Sequence, residues 1–248
     1  MMHSILLTGL PGSGKTRFKK EIEQIAPVAS VYESDLITEL PLELKALKAF
    51  KIWCVIDIRS KLDNVEAEHI LKQMLAQSSA VVLSFADQAD LATQSNWQTW
   101  LAENMGDQEQ LPRFRWFSTG LPSDWNWQDF GRVVSVGEAL ESLDAFSPLA
   151  NYESMDFVYD YVQGAKPTNL EHLLLGLDAS KQNLGMKIWR VQGVVKTTEY
   201  VNPVAIEGTV NRWDTFAGEL TDNSGWLRIE GLDLDPAWLQ QITDASIL

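Results

Sequence analysis

The chain has 248 residues, 45% of them apolar, with a net charge of −14 and a single cysteine. That length suits one large domain or two ordinary ones, each with its own core, and the acidic balance without clustered Lys and Arg argues against nucleic acid or an anionic membrane surface as partner. One cysteine excludes an intrachain disulfide, no apolar run approaches the ~18 residues of a membrane span, and no secretory leader pattern comes before the first motif, so the expectation is a cytoplasmic protein.

An apolar run, Ile5-Leu6-Leu7, passes at once into Gly9-Leu10-Pro11-Gly12-Ser13-Gly14-Lys15-Thr16. This is the Walker A spacing G-x-x-x-x-G-K-[ST], flanked by strand and helix patterns as a phosphate-binding loop requires. Gly9, Gly12 and Gly14 let the backbone curl so that amides from about Ser13 to Thr16 converge on a phosphate that a side chain would otherwise block. Phe18, Ile22 and Ile25 at helical spacing predict a helix over 16–26, stopped by Pro27, whose N-terminal partial charge adds to the anion site. In such a loop Lys15 meets the terminal phosphates as a point charge and the Thr16 hydroxyl ligates Mg²⁺, which makes this pair the candidate catalytic residues.

A weak strand is expected over 28–32, followed by Glu33-Ser34-Asp35 and a Leu-rich mixed stretch to Phe50. The run 51–57 reads as a buried strand ending in the Asp57 carboxylate. A helix over 64–77 turns Ile70, Leu71, Met74 and Leu75 inward, and Ala80 to Leu83 is strand again, leading into Ser84-Phe85-Ala86-Asp87. A helix over 95–105 and a strand over 114–117 complete the alternation, which implies a parallel sheet. The rhythm changes around 145–151. Beyond it, strands are expected over 157–162, 187–196, 204–210 and 226–229, a capping box at Thr168-x-x-Glu171 opens a helix, and Asp235-Pro236 starts the last one. The ten Trp residues, among them the pairs Trp97/Trp100 and Trp125/Trp127, are expected in core and domain-interface packing. The fold class is therefore α/β, with a P-loop domain over 1–148 on a mostly parallel sheet and a small α+β domain over 149–248.

These residues together resemble the CobW-type P-loop GTPases, the family associated with metal-cofactor insertion and zinc handling. The strand and loop through Thr16 resemble the family's opening, while Val55-Ile56-Asp57 and Val81-Val82-Leu83 through Leu91 are similar to its later core strands. Ile188-Trp189-Arg190-Val191-Gln192-Gly193-Val194 and Leu227-Arg228-Ile229-Glu230-Gly231-Leu232-Asp233 resemble strands of its C-terminal domain. The resemblance implies GTP and Mg²⁺ as ligands, slow GTP hydrolysis, a protein client and a link to metal homeostasis.

The chain departs from the family at three points. It lacks the Cys-x-Cys-Cys motif, and with Cys54 alone beside His3, His69 and His172 a tetrahedral zinc site is not expected. The guanine-reading Asn-Lys-x-Asp is reduced to Ser84-Phe85-Ala86-Asp87, in which Asp87 either accepts from guanine N1–H and the amino group or simply caps the next helix, and Phe85 offers a stacking face. For Mg²⁺, Asp57 and Glu33 compete as the carboxylate beside Thr16, strand-end geometry favouring Asp57. The ligand set is thus Gly9, Gly12, Ser13, Gly14, Lys15, Thr16 and Asp87, with GTP or ATP as nucleotide. Two alternatives stay open: a small-molecule kinase, although Arg113, Arg115 and Arg132 are too scattered for a phosphate clamp, and a relative that binds nucleotide without hydrolysing it.

Overall fold

The computed structural model describes residues 3–34, 42–105, 111–144, 152–161, 166–183, 185–221 and 224–247. It divides into two compact units, Met1–Pro148 and Leu149–Leu248. The change of rhythm around 145–151, Asp35 and Val162 lie outside the described residues. No helix among the described residues is long and apolar enough to cross a membrane.

The first unit is an α/β layer structure. Its strands are β1 (His3–Thr8), β2 (Ala29–Glu33), β3 (Ala49–Asp57), β4 (Ala80–Ser84) and β5 (Arg113–Arg115), in the spatial order β2-β1-β3-β4-β5 with every neighbouring pair parallel. A short β6 (Val134–Ser135) pairs antiparallel with the start of β3. The helices are α1 (Lys15–Ile25), α2 (Leu42–Lys45), α3 (Val65–Gln77), α4 (Leu91–Asn104) and α5 (Val136–Asp144). Successive strand residues point to opposite faces, so one face collects Ile5, Leu7, Trp53, Val55 and Val82 against Phe18 and Ile22 of α1, while Leu6 and Ile52 join Leu44, Phe50 and Val134 on the other. Trp125 stacks on Phe114 at 4.4 Å and lies 5.8 Å from Trp53, which places this Trp-rich segment in the core. Removing an aromatic ring buried as completely as Trp53 or Phe18 costs about 3–5 kcal/mol.

Several boundaries differ from the sequence pattern, β7 beginning at Tyr152 rather than 157 among them, and two have a clear local reason. Helix α4 begins at Leu91 rather than 95, because the Asp90 carboxylate accepts from Thr93 N and satisfies an orphan amide of the first turn. β5 ends at Arg115, yet Trp116 N still donates to Leu83 O and Ala86 N to Trp116 O, so the chain stays laced to β4 beyond the ladder.

Among its described residues, the second unit is an antiparallel sheet with two helices. β7 (Tyr152–Asp160), β8 (Lys187–Val195), β9 (Val204–Thr209), β10 (Trp213–Ala217) and β11 (Ser224–Leu232) run in the order β10-β9-β8-β11-β7. Leu170, Leu173 and Leu177 of α6 (Leu170–Asn183) and Leu239 and Ile242 of α7 (Pro236–Ala245) share one core with Phe157, Ile188, Val191, Leu227 and Ile229. Asp235 caps α7 by accepting from Trp238 N, with Pro236 at the first position. The expected capping box at Thr168 is replaced by Asn169, whose Oδ1 accepts from His172 N, because Thr168 is itself buried in bridges to Thr197 and Ile247.

Lys181 of α6 is the one strongly perturbed cation among the described residues of this unit. Burial pushes its pKa down to about 8, against the pull of Asp178, while its ammonium donates to Thr209 O at 3.2 Å and lies 4.6 Å from the Trp213 ring. The cost of burying its charge is fully present below pH 8 and fades as pH rises towards 10.5, since the unfolded chain binds the extra proton across that window. The stability of the native chain relative to Lys181→Met is therefore expected to improve from about pH 7 to about pH 10 in urea titrations. A difference between the two proteins that does not change with pH would contradict this.

Candidate functional site

The Gly9–Thr16 segment leaves the C-terminal end of β1 and enters α1 at Lys15. Gly9 sits at φ +142, and a Cβ on it would lie 2.1 Å from the Val55 carbonyl oxygen of β3, so the loop turns in contact with the sheet backbone. Gly14 is the N-cap of α1 in the left-handed region at φ +94 and supplies no side chain to the helix amides, which leaves the cap open for an anion. Ser84 at the end of β4 donates through Oγ to Ser13 O at 2.7 Å and to Ile56 O at 3.1 Å, tying the loop to two strands. The Lys15 ammonium folds back across the loop to Gly9 O at 2.8 Å, Leu10 O at 2.9 Å and Ser13 Oγ at 3.3 Å, and the residue is only 4% exposed.

The two carboxylate candidates end the two strands that flank β1. Glu33 of β2 accepts from the Thr16 hydroxyl at 2.7 Å and has Lys19 Nζ 4.0 Å from its other oxygen. Asp57 of β3 turns instead to Arg59, which engages both of its oxygens through Nε and Nη2 at 2.6–3.1 Å, while Arg59 N adds a further bond at 3.0 Å. The structure thus brings together Thr16 and Glu33, and gives Asp57 a separate partner.

A second cluster forms where the β4 and β5 ends meet α1. Asp87 accepts from Ser118 N at 2.8 Å and from the Ser118 hydroxyl, which hold its carboxyl below the usual range, with Arg17 contributing at longer reach. The residue capping α4 is Asp90, so Asp87 is not occupied by the helix. Phe85, at φ +57, carries the Arg59 guanidinium 3.6 Å from its ring centroid and lies 5.7 Å from Trp116. Arg17 runs across this cluster: its carbon Cζ is 5.1 Å from the Trp116 ring, Nη2 donates to Ser118 O at 2.7 Å, and Nε meets Glu21, which also accepts from Trp116 Nε1 at 2.9 Å. Arg17, Glu21, Arg59, Trp116 and Ser118 were not singled out by sequence. The available signal was position alone, Arg17 following Thr16 and Ser118 following the last strand of the alternation.

No family model matches the chain, and no curated protein matches its sequence. Among solved structures, the Zn(II)-bound YjiA GTPase from E. coli is similar at 9% identity and a TM-score of 0.35, covering 100% of this chain and 99% of that one. A Zn(II)-bound triple mutant of YjiA aligns at the same identity and TM-score over 100% of both chains. Likeness at that level carries no argument about activity, and the chemistry rests on the loop and its neighbours.

Cys54 lies fully buried in β3, where desolvation raises its thiol to about 12 against the smaller opposing pull of Lys15 and a hydrogen bond with Ser78. A thiolate is the reactive form, so a thiol reagent at about pH 8 is expected to spare Cys54 in the folded chain and to label it in denaturant. Rapid labelling of native protein, followed by mass spectrometry, would contradict the burial.

Proposed function

We propose that this chain is a CobW-like P-loop protein that binds a purine nucleoside triphosphate with Mg²⁺, GTP in preference to ATP, and couples nucleotide state to a protein client. The observation that carries the reading is the Thr16–Glu33 hydrogen bond beside an open helix N-terminus, with Lys15 stored in the same loop. A polyphosphate entering the loop meets the backbone amides at the start of α1, and the Lys15 ammonium exchanges two carbonyl oxygens for phosphate oxygens.

Thr16 and Glu33 supply one hydroxyl and one carboxylate, a hard oxygen pair of the kind that holds Mg²⁺ together with water and phosphate. When bound, the ion neutralises charge on the terminal phosphates. The protein's own share is positioning: Ser84 fixes the loop on β3 and β4, and Asp87, held by Ser118, presents its carboxylate to a base bearing adjacent N–H donors. Hydrolysis is proposed to be slow or absent, and the missing Cys-x-Cys-Cys argues for a client protein rather than a thiolate-bound metal as the target.

Calorimetry on the full chain tests this. GTP with Mg²⁺ is expected to bind more tightly than ATP, and Lys15→Ala to weaken both by about tenfold to a hundredfold, the range of a charge-assisted phosphate contact. Equal binding by Lys15→Ala and the native chain would remove the reading. Glu33→Gln is expected to reduce the gain in affinity on adding Mg²⁺. Loss of that gain in Asp57→Asn but not in Glu33→Gln would move the ion to Asp57.

A further inference from the structure

We propose that Arg17, one residue beyond the phosphate loop, is a specificity-determining residue that reads the base of the bound nucleotide together with Asp87. This deepens the nucleotide-binding reading and rests on it. Both side chains converge on Ser118: Asp87 accepts from its N–H and hydroxyl, and Arg17 donates to its carbonyl at 2.7 Å across 101 residues of sequence. The pair therefore sets two carboxylate acceptors beside a guanidinium. Guanine presents the complementary edge, its amino group and N1–H as donors followed by the O6 acceptor, with N7 behind it. Adenine reverses the order, placing an acceptor at N1 and a donor amino group where O6 would be, so that it meets mismatches at both side chains.

Arg17 has the donors and the support for this role. A guanidinium carries five N–H donors in a planar fork, and the bonds to Glu21 and Ser118 draw on only Nε and Nη2. Glu21 anchors the fork from one turn along α1 while also accepting from Trp116 Nε1, so the Trp116 ring and the guanidinium are held by one carboxylate. The buried Trp116 ring at 5.1 Å and Phe85 at 5.8 Å back the planar cation from the protein side and fix its plane. The side chain is 42% exposed, so it moves towards a ligand without opening the core.

The test compares native protein, Arg17→Ala and Arg17→Lys with four probes in Mg²⁺ buffer: inorganic tripolyphosphate, ATP, GTP and 7-deaza-GTP, which lacks the N7 acceptor. The native chain is expected to prefer GTP over ATP, and Arg17→Ala to lose that preference by about tenfold to a hundredfold while tripolyphosphate affinity stays within about threefold. 7-Deaza-GTP is expected to bind the native chain more weakly than GTP and to bind Arg17→Ala like GTP. Arg17→Lys keeps the charge but not the fork and is expected to fall between them. A GTP-to-ATP ratio that is unchanged in both variants overturns this inference alone, and a ratio of one in the native chain overturns it together with the GTP preference proposed above. Failure of the native chain to bind tripolyphosphate or any nucleotide overturns the phosphate-loop reading as well.

Discussion

The first unit is organised around the passage of Gly9 against the Val55 carbonyl. No side chain fits there, since a Cβ would stand 2.1 Å from that oxygen, and the close approach is what lets the chain turn from β1 into α1 over the ends of its neighbouring strands. Every functional side chain described above is placed relative to that turn. The loop is held from below by Ser84, closed from within by Lys15, and capped in the left-handed conformation by Gly14 so that the amides of α1 face outward. With both neighbours of β1 parallel to it, their C-terminal ends arrive on the same side as the loop, which is where the crevice of an open parallel sheet collects ligands.

The internal bonds of Lys15 show how the loop satisfies itself. A buried ammonium with no partner is strongly disfavoured, and the two carbonyl oxygens of Gly9 and Leu10 meet that requirement. Phosphate oxygens are charged acceptors and form stronger bonds than carbonyls, so the same geometry that keeps the chain stable gives the lysine a reason to move. Thr16 and Glu33 follow a parallel logic: a hydroxyl donating to a carboxylate is a satisfied pair, and both oxygens lie side by side for a cation that replaces the shared proton contact.

The second cluster uses a different physical resource. Its charged members range from exposed, as Asp87 is, to part-buried, as Glu21 and the Asp57–Arg59 pair are, and they lie over the buried Trp116 ring, so the more exposed ion pairs individually contribute little to stability. What the cluster supplies is order. Glu21 serves Arg17 and Trp116 together, Asp57 serves Arg59, and Arg59 lies flat on Phe85, so that aromatic and guanidinium planes are held in defined directions beside the loop. Such preorganisation lowers the ordering cost that binding would otherwise incur.

Local chemistry determined much of this protein from sequence alone. The eight-residue loop, the amphipathic α1 with Phe18 and Ile22, the buried strand ending at Asp57 and the Asp235-Pro236 helix start depend on contacts within a few residues or on simple periodicity, and these survive in any fold that buries an apolar face. Tertiary structure alone decided which distant groups meet. Thr16 finds Glu33 because β2 rather than another strand lies beside β1 on that flank, a contact spanning 17 residues, and Asp87 and Arg17 find Ser118 across 31 and 101. Thr168 likewise reads as a helix cap in isolation, and only its burial between Thr197 and Ile247 hands that task to Asn169. The order of strands in a sheet is chosen by the packing of the whole layer, and no pattern within a single strand encodes its neighbours.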